Sequence, residues 1–175
     1  MKLSAPRYSS GLFPSYAFLP GTDPHPTADV RGHSYRRTSE HCAQGLGTEW
    51  RANKCYLYGC DLFNHGYWWE AHEAWEAIWL HSPRGGGDAL FLQMLIQAAN
   101  ALLKQRMGKR HAALRLQTLV IDLATGLDEE NMGLEIRPWL AEFSSYLTSQ
   151  GESGLRENGF PYLFLKHLCP CKAPE

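Results

Sequence analysis

The chain has 175 residues, of which 44% are hydrophobic and 20% charged, enough for one domain with a real core and too apolar for a disordered segment. A formal net charge of -1 removes any bulk electrostatic reason to bind nucleic acid or an anionic membrane. No run approaches the ~20 apolar residues of a membrane span, because the best stretch, residues 89–103, is interrupted by Gln93, Gln97 and Asn100.

The opening residues, MKLSAPRYSSGLF, lack the apolar h-region of a secretory signal. The five cysteines are Cys42, Cys55, Cys60, Cys169 and Cys171, an odd count that without a signal predicts free thiols and a cytoplasmic location. Cys169 and Cys171 flank one proline, but no second pair completes a zinc site. Residues 104–115 form the one local basic patch, read here as a solvated helix end.

Residues 1–45 hold Pro6, Pro14, Pro20, Pro24 and Pro26 together with Gly11, Gly21 and Gly32, which excludes a long helix or a central strand. Tyr8, Phe13, Tyr16, Phe18 and Leu19 are too apolar for a free tail, so the segment reads as an arm packed on the domain. It carries His25, fixed between two prolines, and His33, with Asp23 and Asp29 nearby. These histidines are either surface residues or ligands, since loops carry a large share of sites.

Residues 46–150 read as the helical core. A first helix is expected from residue 47 or 48 to 63, capped by Thr48 with Glu49 in its first turn. Asn64-His65-Gly66 stops it, because Gly66 and Asn64 tolerate a left-handed cap. A second helix follows at once over 67–81, and so short a link predicts an antiparallel hairpin. Residues 82–88 break the pattern, and a third helix over 89–107 takes Asp88 as its N-cap. A fourth spans 111–124, with Leu114, Leu116, Leu119, Val120 and Leu123 on its apolar side. A fifth spans 134–147, with Ile136, Leu140, Phe143 and Tyr146 inward and Pro138 tolerated in the first turn. Residues 151–175 form a tail whose stretch 160–168 is apolar enough to dock back. No run alternates over six residues, so no sheet is expected. The fold class is therefore all-α: a single-domain multi-helix bundle built on an antiparallel hairpin, with a proline-rich N-terminal arm.

Chemistry concentrates in residues 63–79, FNHGYWWEAHEAWEAIW. At ~100° per residue, His72 and Glu76 lie one turn apart among Trp68, Trp69, Trp75 and Trp79. Glu70 and Glu73 occupy an adjoining face, and Ala71, Ala74 and Ile78 form a small apolar side. Four tryptophans make this a core helix, so its carboxylates need partners. Gln93, Gln97, Asn100 and Lys104 share one face of the third helix and supply candidates. The expectation is a pocket in which Glu70, His72, Glu73 and Glu76 meet Gln93, Gln97 and Asn100, or His25 and His33 of the arm.

Three readings of that pocket compete. His72, Glu73 and Glu76 resemble a zinc HExxH motif with Glu76 in place of the second histidine, so a divalent metal would be held by His72 and Glu76 and completed by His25 or His33. Without a metal, His72 and Glu73 would act as acid and base on a small-molecule ligand, making the protein hydrolytic. In the third reading the polar residues only fix helix packing in a structural or partner-binding module. A homo-oligomer is compatible with each.

The motif resembles the family called domain of unknown function 309, on Phe63-Asn64-x-Gly66-x-x-Trp69-Glu70-Ala71-His72-Glu73-x-x-Glu76-x-x-Trp79 and then Leu92-Gln93-x-Leu95-Ile96-Gln97-Ala98-Ala99. The resemblance covers about residues 55–123 and implies a small all-α fold with no established reaction. Its motif residues fall on Glu70, His72, Glu73, Glu76, Trp79, Gln93 and Gln97. The hairpin also looks like half of a tetratricopeptide unit, but no ~34-residue period recurs.

Overall fold

The computed structural model describes residues 5–36, 45–47, 49–149, 160–166 and 168. Five helices dominate: α1 (Lys54–Asn64), α2 (Trp68–Trp79), α3 (Gly87–Arg106), α4 (Arg110–Ala124) and α5 (Ile136–Ser149). Each packs on the next through α1–α2, α2–α3 and α3–α4, and α5 lies on α4, which makes the all-α bundle. Helix α3 is the central layer. Phe91, Leu92, Met94, Leu95, Ala98, Ala99, Ala101 and Leu102 are wholly buried, so apolar residues fill about half of the wheel, opposite the stripe of Gln93, Gln97, Asn100 and Lys104.

Helix α1 and helix α2 close on each other through a glycine. A Cβ on Gly59 would stand 2.3 Å from Nε1 of the fully buried Trp75, so only a bare Cα admits that ring. The indole N–H then reaches Tyr56 O at 3.4 Å. Gly66 takes φ +83 in the link, the left-handed conformation expected of the stop.

Several boundaries differ from expectation. Helix α1 begins at Lys54, because Asn53 caps it by accepting from the Tyr56 N–H at 3.0 Å, and residues 50–52 form a separate 3-10 turn. Thr48 lies outside the described residues. Helix α3 is capped at Gly86, and Asp88 instead accepts from the Gly47 N–H at 3.1 Å. On α4 the buried stripe is Ala113, Gln117, Val120 and Ala124, while Leu119 is exposed. These four recur at i, i+4, i+7 and i+11 on one face, and Gln117 Nε2 donates to Ser144 O at 3.3 Å. On α5 Trp139 joins the inward side, its indole donating to Pro161 O.

A two-stranded antiparallel ribbon, β1 (Glu130–Asn131) and β2 (Leu134–Glu135), also forms where no strand was expected. Strands of two residues are too short to show alternation. The turn explains the pairing: Met132 and Gly133 both have positive φ, 45° and 80°, the requirement of a tight hairpin loop. Met132 O accepts from Tyr56 Oη at 2.9 Å, and Gly133 O accepts from the Lys166 N–H at 2.7 Å.

The cysteine expectation fails in part. Cys60 is a free thiol, and burial pushes its pKa well up. Cys55 is disulfide-bonded, so the cysteines do not argue for a reducing compartment. Cys42, Cys169 and Cys171 lie outside the described residues. Among the described residues no helix is long and apolar enough to cross a membrane.

Candidate functional site

The acidic residues of the hairpin divide by face. Asp61 on α1 is fully buried and accepts from Tyr8 N at 2.6 Å, Ser9 N at 2.8 Å and Ser9 Oγ at 2.6 Å. Burial raises its pKa, while the Ser9 and Tyr8 hydrogen bonds and the Arg7 charge pull the other way. One turn on, Asn64 donates to Pro6 O and Leu163 O and accepts from Leu163 N at 2.7 Å. Tyr8 Oη donates to Leu163 O at 3.0 Å and accepts from Leu165 N at 2.8 Å. The arm and residues 163–165 are thus laced to α1 by its last turns. Phe160 adds ring contacts with Phe63, Trp68 and Tyr146.

Glu70 in the first turn of α2 holds the arm's second anchor. Its Oε1 accepts from Phe18 N at 2.9 Å and lies 3.0 Å from His33 Nε2, with the two side chains 5% and 6% exposed. The second oxygen of Glu70 is buried without a partner among the described residues. His33 is steadied by the edge of the Tyr16 ring, at 4.7 Å between centroids.

His72, Glu73 and Glu76 face the other way. His72 Nδ1 is 3.4 Å from Glu73 Oε1, and Nε2 is 3.9 Å from Glu76 Oε2. One donor atom from each lies within 4.8 Å of the others, the one group of three His, Cys, Asp or Glu residues so placed among the described residues. Both glutamate side chains are 44% exposed, that of His72 is 20% exposed, and its Nδ1 is a buried atom with no hydrogen bond.

The sequence-predicted set is therefore only partly gathered. His33 is engaged by Glu70, which sits 200° round the helix from His72 at two residues' spacing. His25 is exposed, its Nδ1 accepts from the Thr27 and Ala28 N–H groups, and its ring packs on Phe18 and Trp69. Gln93 and Gln97 are half-buried, and among the described residues no side-chain hydrogen bond joins them to α2. Half-exposed amides take water as partner, so the packing of α2 on α3 does not demand the polar network expected there. Asp61 is the residue that sequence reasoning missed. The signal was a lone acid between Cys60 and Leu62, but its partners, two backbone N–H groups and the Ser9 hydroxyl, lie about fifty residues away, which no local pattern reveals.

Residues 56–116 match the model of the family described as Domain of unknown function (DUF309), the family that the motif resembles. The matched segment holds most of α1, all of α2 and α3 and the first half of α4. No curated protein and no solved structure matches the chain.

Proposed function

We propose that α2 carries a surface site for a divalent transition-metal ion, held by His72, Glu73 and Glu76, and that the protein works by binding this ion. The observation that carries the reading is the 4.8 Å grouping of one imidazole nitrogen and two carboxylate oxygens on one partly exposed helix face. Ligands at zinc-like bond lengths of about 2.1 Å in a tetrahedron stand about 3.4 Å apart, so rotation of the exposed carboxylates by about an ångström closes the set. Among the described residues neither Glu73 nor Glu76 has a hydrogen bond to hold it elsewhere. Imidazole with two carboxylates suits zinc and its neighbours better than calcium or magnesium.

Three protein ligands on an exposed face leave positions for water or a small ligand. Hydrolytic chemistry is compatible with that opening, through a bound water of lowered pKa. Glu73 cannot serve at once as third ligand and as free base, so ion binding is the primary reading. The test is calorimetric titration of chelator-stripped protein with zinc. One saturable equivalent is expected, lost in His72→Ala and Glu76→Gln, and unchanged heats in those variants would remove the site.

A further inference from the structure

Across α2 from His72, the Glu70 anchor continues into a second hydrogen bond that docking does not require. His33 Nε2 lies 3.0 Å from Glu70 Oε1, and His33 Nδ1 lies 2.9 Å from Ser34 Oγ. Glu70 Oε1 already accepts the Phe18 N–H and is placed to accept from His33 Nε2 as well. With its proton on Nε2, the ring turns its Nδ1 lone pair to the Ser34 hydroxyl. Carboxylate, imidazole and hydroxyl stand in the proton order of a serine nucleophile triad, with the roles of the two ring nitrogens exchanged.

The ring is held in this pose from several sides. Tyr16 sets its edge against it, accepts the His33 backbone N–H at 3.3 Å and donates to Pro24 O at 2.7 Å. The Ser34 N–H is tied to Pro26 O at 3.0 Å, and Gly32 fits so tightly that a Cβ would meet His25 O at 2.3 Å. Ser34 itself is only partly buried. The imidazolium formed on taking its proton would sit against a carboxylate that is 5% exposed and whose second oxygen has no partner.

We propose that Ser34 is a nucleophile, with His33 as its general base and Glu70 as the residue that positions the ring, acting on small activated acyl esters. Ser34 Oγ bonds to the acyl carbon as its proton passes to His33 Nδ1. The ester C–O bond breaks, and the departing alcohol takes that proton. Water then adds to the acyl-serine by the same route, releasing a carboxylic acid and restoring the hydroxyl. The proposal is independent of the metal reading.

The test is labelling of the intact protein with a fluorophosphonate probe, with the modified residue located by peptide mass spectrometry. Labelling at Ser34 is expected, abolished in Ser34→Ala and slowed about 100-fold in His33→Gln and Glu70→Gln. Those two variants touch the docking of the arm, so Ser34→Cys supplies a second measure: its thiol should alkylate with iodoacetamide faster than the same thiol in Ser34→Cys/His33→Gln. Absence of label on wild type, equal labelling of several serines, or a Ser34→Cys thiol indifferent to His33 would overturn the proposal.

Discussion

One hairpin bears two sets of acids with opposite fates. Asp61 and Glu70 face inward, and donors of the arm consume them: two backbone N–H groups and the Ser9 hydroxyl on Asp61, and the Phe18 N–H on Glu70. Glu73 and Glu76 face out beside His72 and bond to no backbone group among the described residues. The difference teaches which acids can be removed without harming the fold. Removing an inward acid strands buried donors and damages the fold, whereas removing an outward one costs the fold little and isolates whatever the trio does.

The largest effect is expected at Asp61. Asp61→Ala leaves the Tyr8 and Ser9 N–H groups and the Ser9 hydroxyl without their acceptor, a loss of about 3 kcal/mol or more. Thermal melting should fall by about 6–12 °C, and limited proteolysis should open the arm first. Glu70→Ala with an equal effect would fit the division, and Glu76→Ala with an equal effect would break it.

Gly59→Ala comes next, because its Cβ would lie 2.3 Å from Trp75 Nε1. Overpacking of this kind costs about 1–3 kcal/mol, read as a lower melting temperature with a shifted tryptophan emission.

A smaller effect is set by pH. Burial raises the Asp61 pKa in the folded state, so the folded protein holds this proton more tightly than the unfolded chain. The proton-linked part of the Asp61 contribution is therefore full below the unfolded value of about 3.9 and is lost as pH rises through the folded value, while the hydrogen bonds from Tyr8 and Ser9 persist. Ser9 Oγ, at 2.6 Å, can accept the carboxyl proton in the neutral form. Melts of wild type and Asp61→Asn across that window should differ in slope, and parallel curves would contradict the assignment.

The smallest stability effect belongs to the outward acids. Glu73→Gln and Glu76→Gln should change stability by no more than about 0.5 kcal/mol in the absence of metal, as exposed substitutions do. A melt displaced by several degrees would assign them a packing role.

The helices were legible because apolar period and stop signals coincide. Gly66 and Gly108 mark breaks that the structure keeps, with φ +83 and +71, and the break expected over 82–88 is kept up to Gly86, after which α3 begins two residues early. Cap positions were less legible, since Asn53 rather than Thr48 begins α1 after a 3-10 turn that carries no periodic signature. The site was half legible. The helical wheel put Glu70, His72, Glu73 and Glu76 in one pocket, but the arm claims Glu70 with Phe18 and His33, and only contacts distant in sequence decide that. Asp61 was hidden for the same reason, and the ribbon because two-residue strands leave no pattern.

The most direct measurement of this division is the melting temperature of chelator-stripped protein with and without saturating zinc, in wild type, Glu76→Gln and Asp61→Asn. An ion that binds only the folded chain at 100 times its Kd adds about 2.7 kcal/mol. The account predicts that rise in wild type, none in Glu76→Gln, and a rise of full size on a lower baseline in Asp61→Asn. No rise in wild type, or an equal rise in wild type and Glu76→Gln, would contradict it.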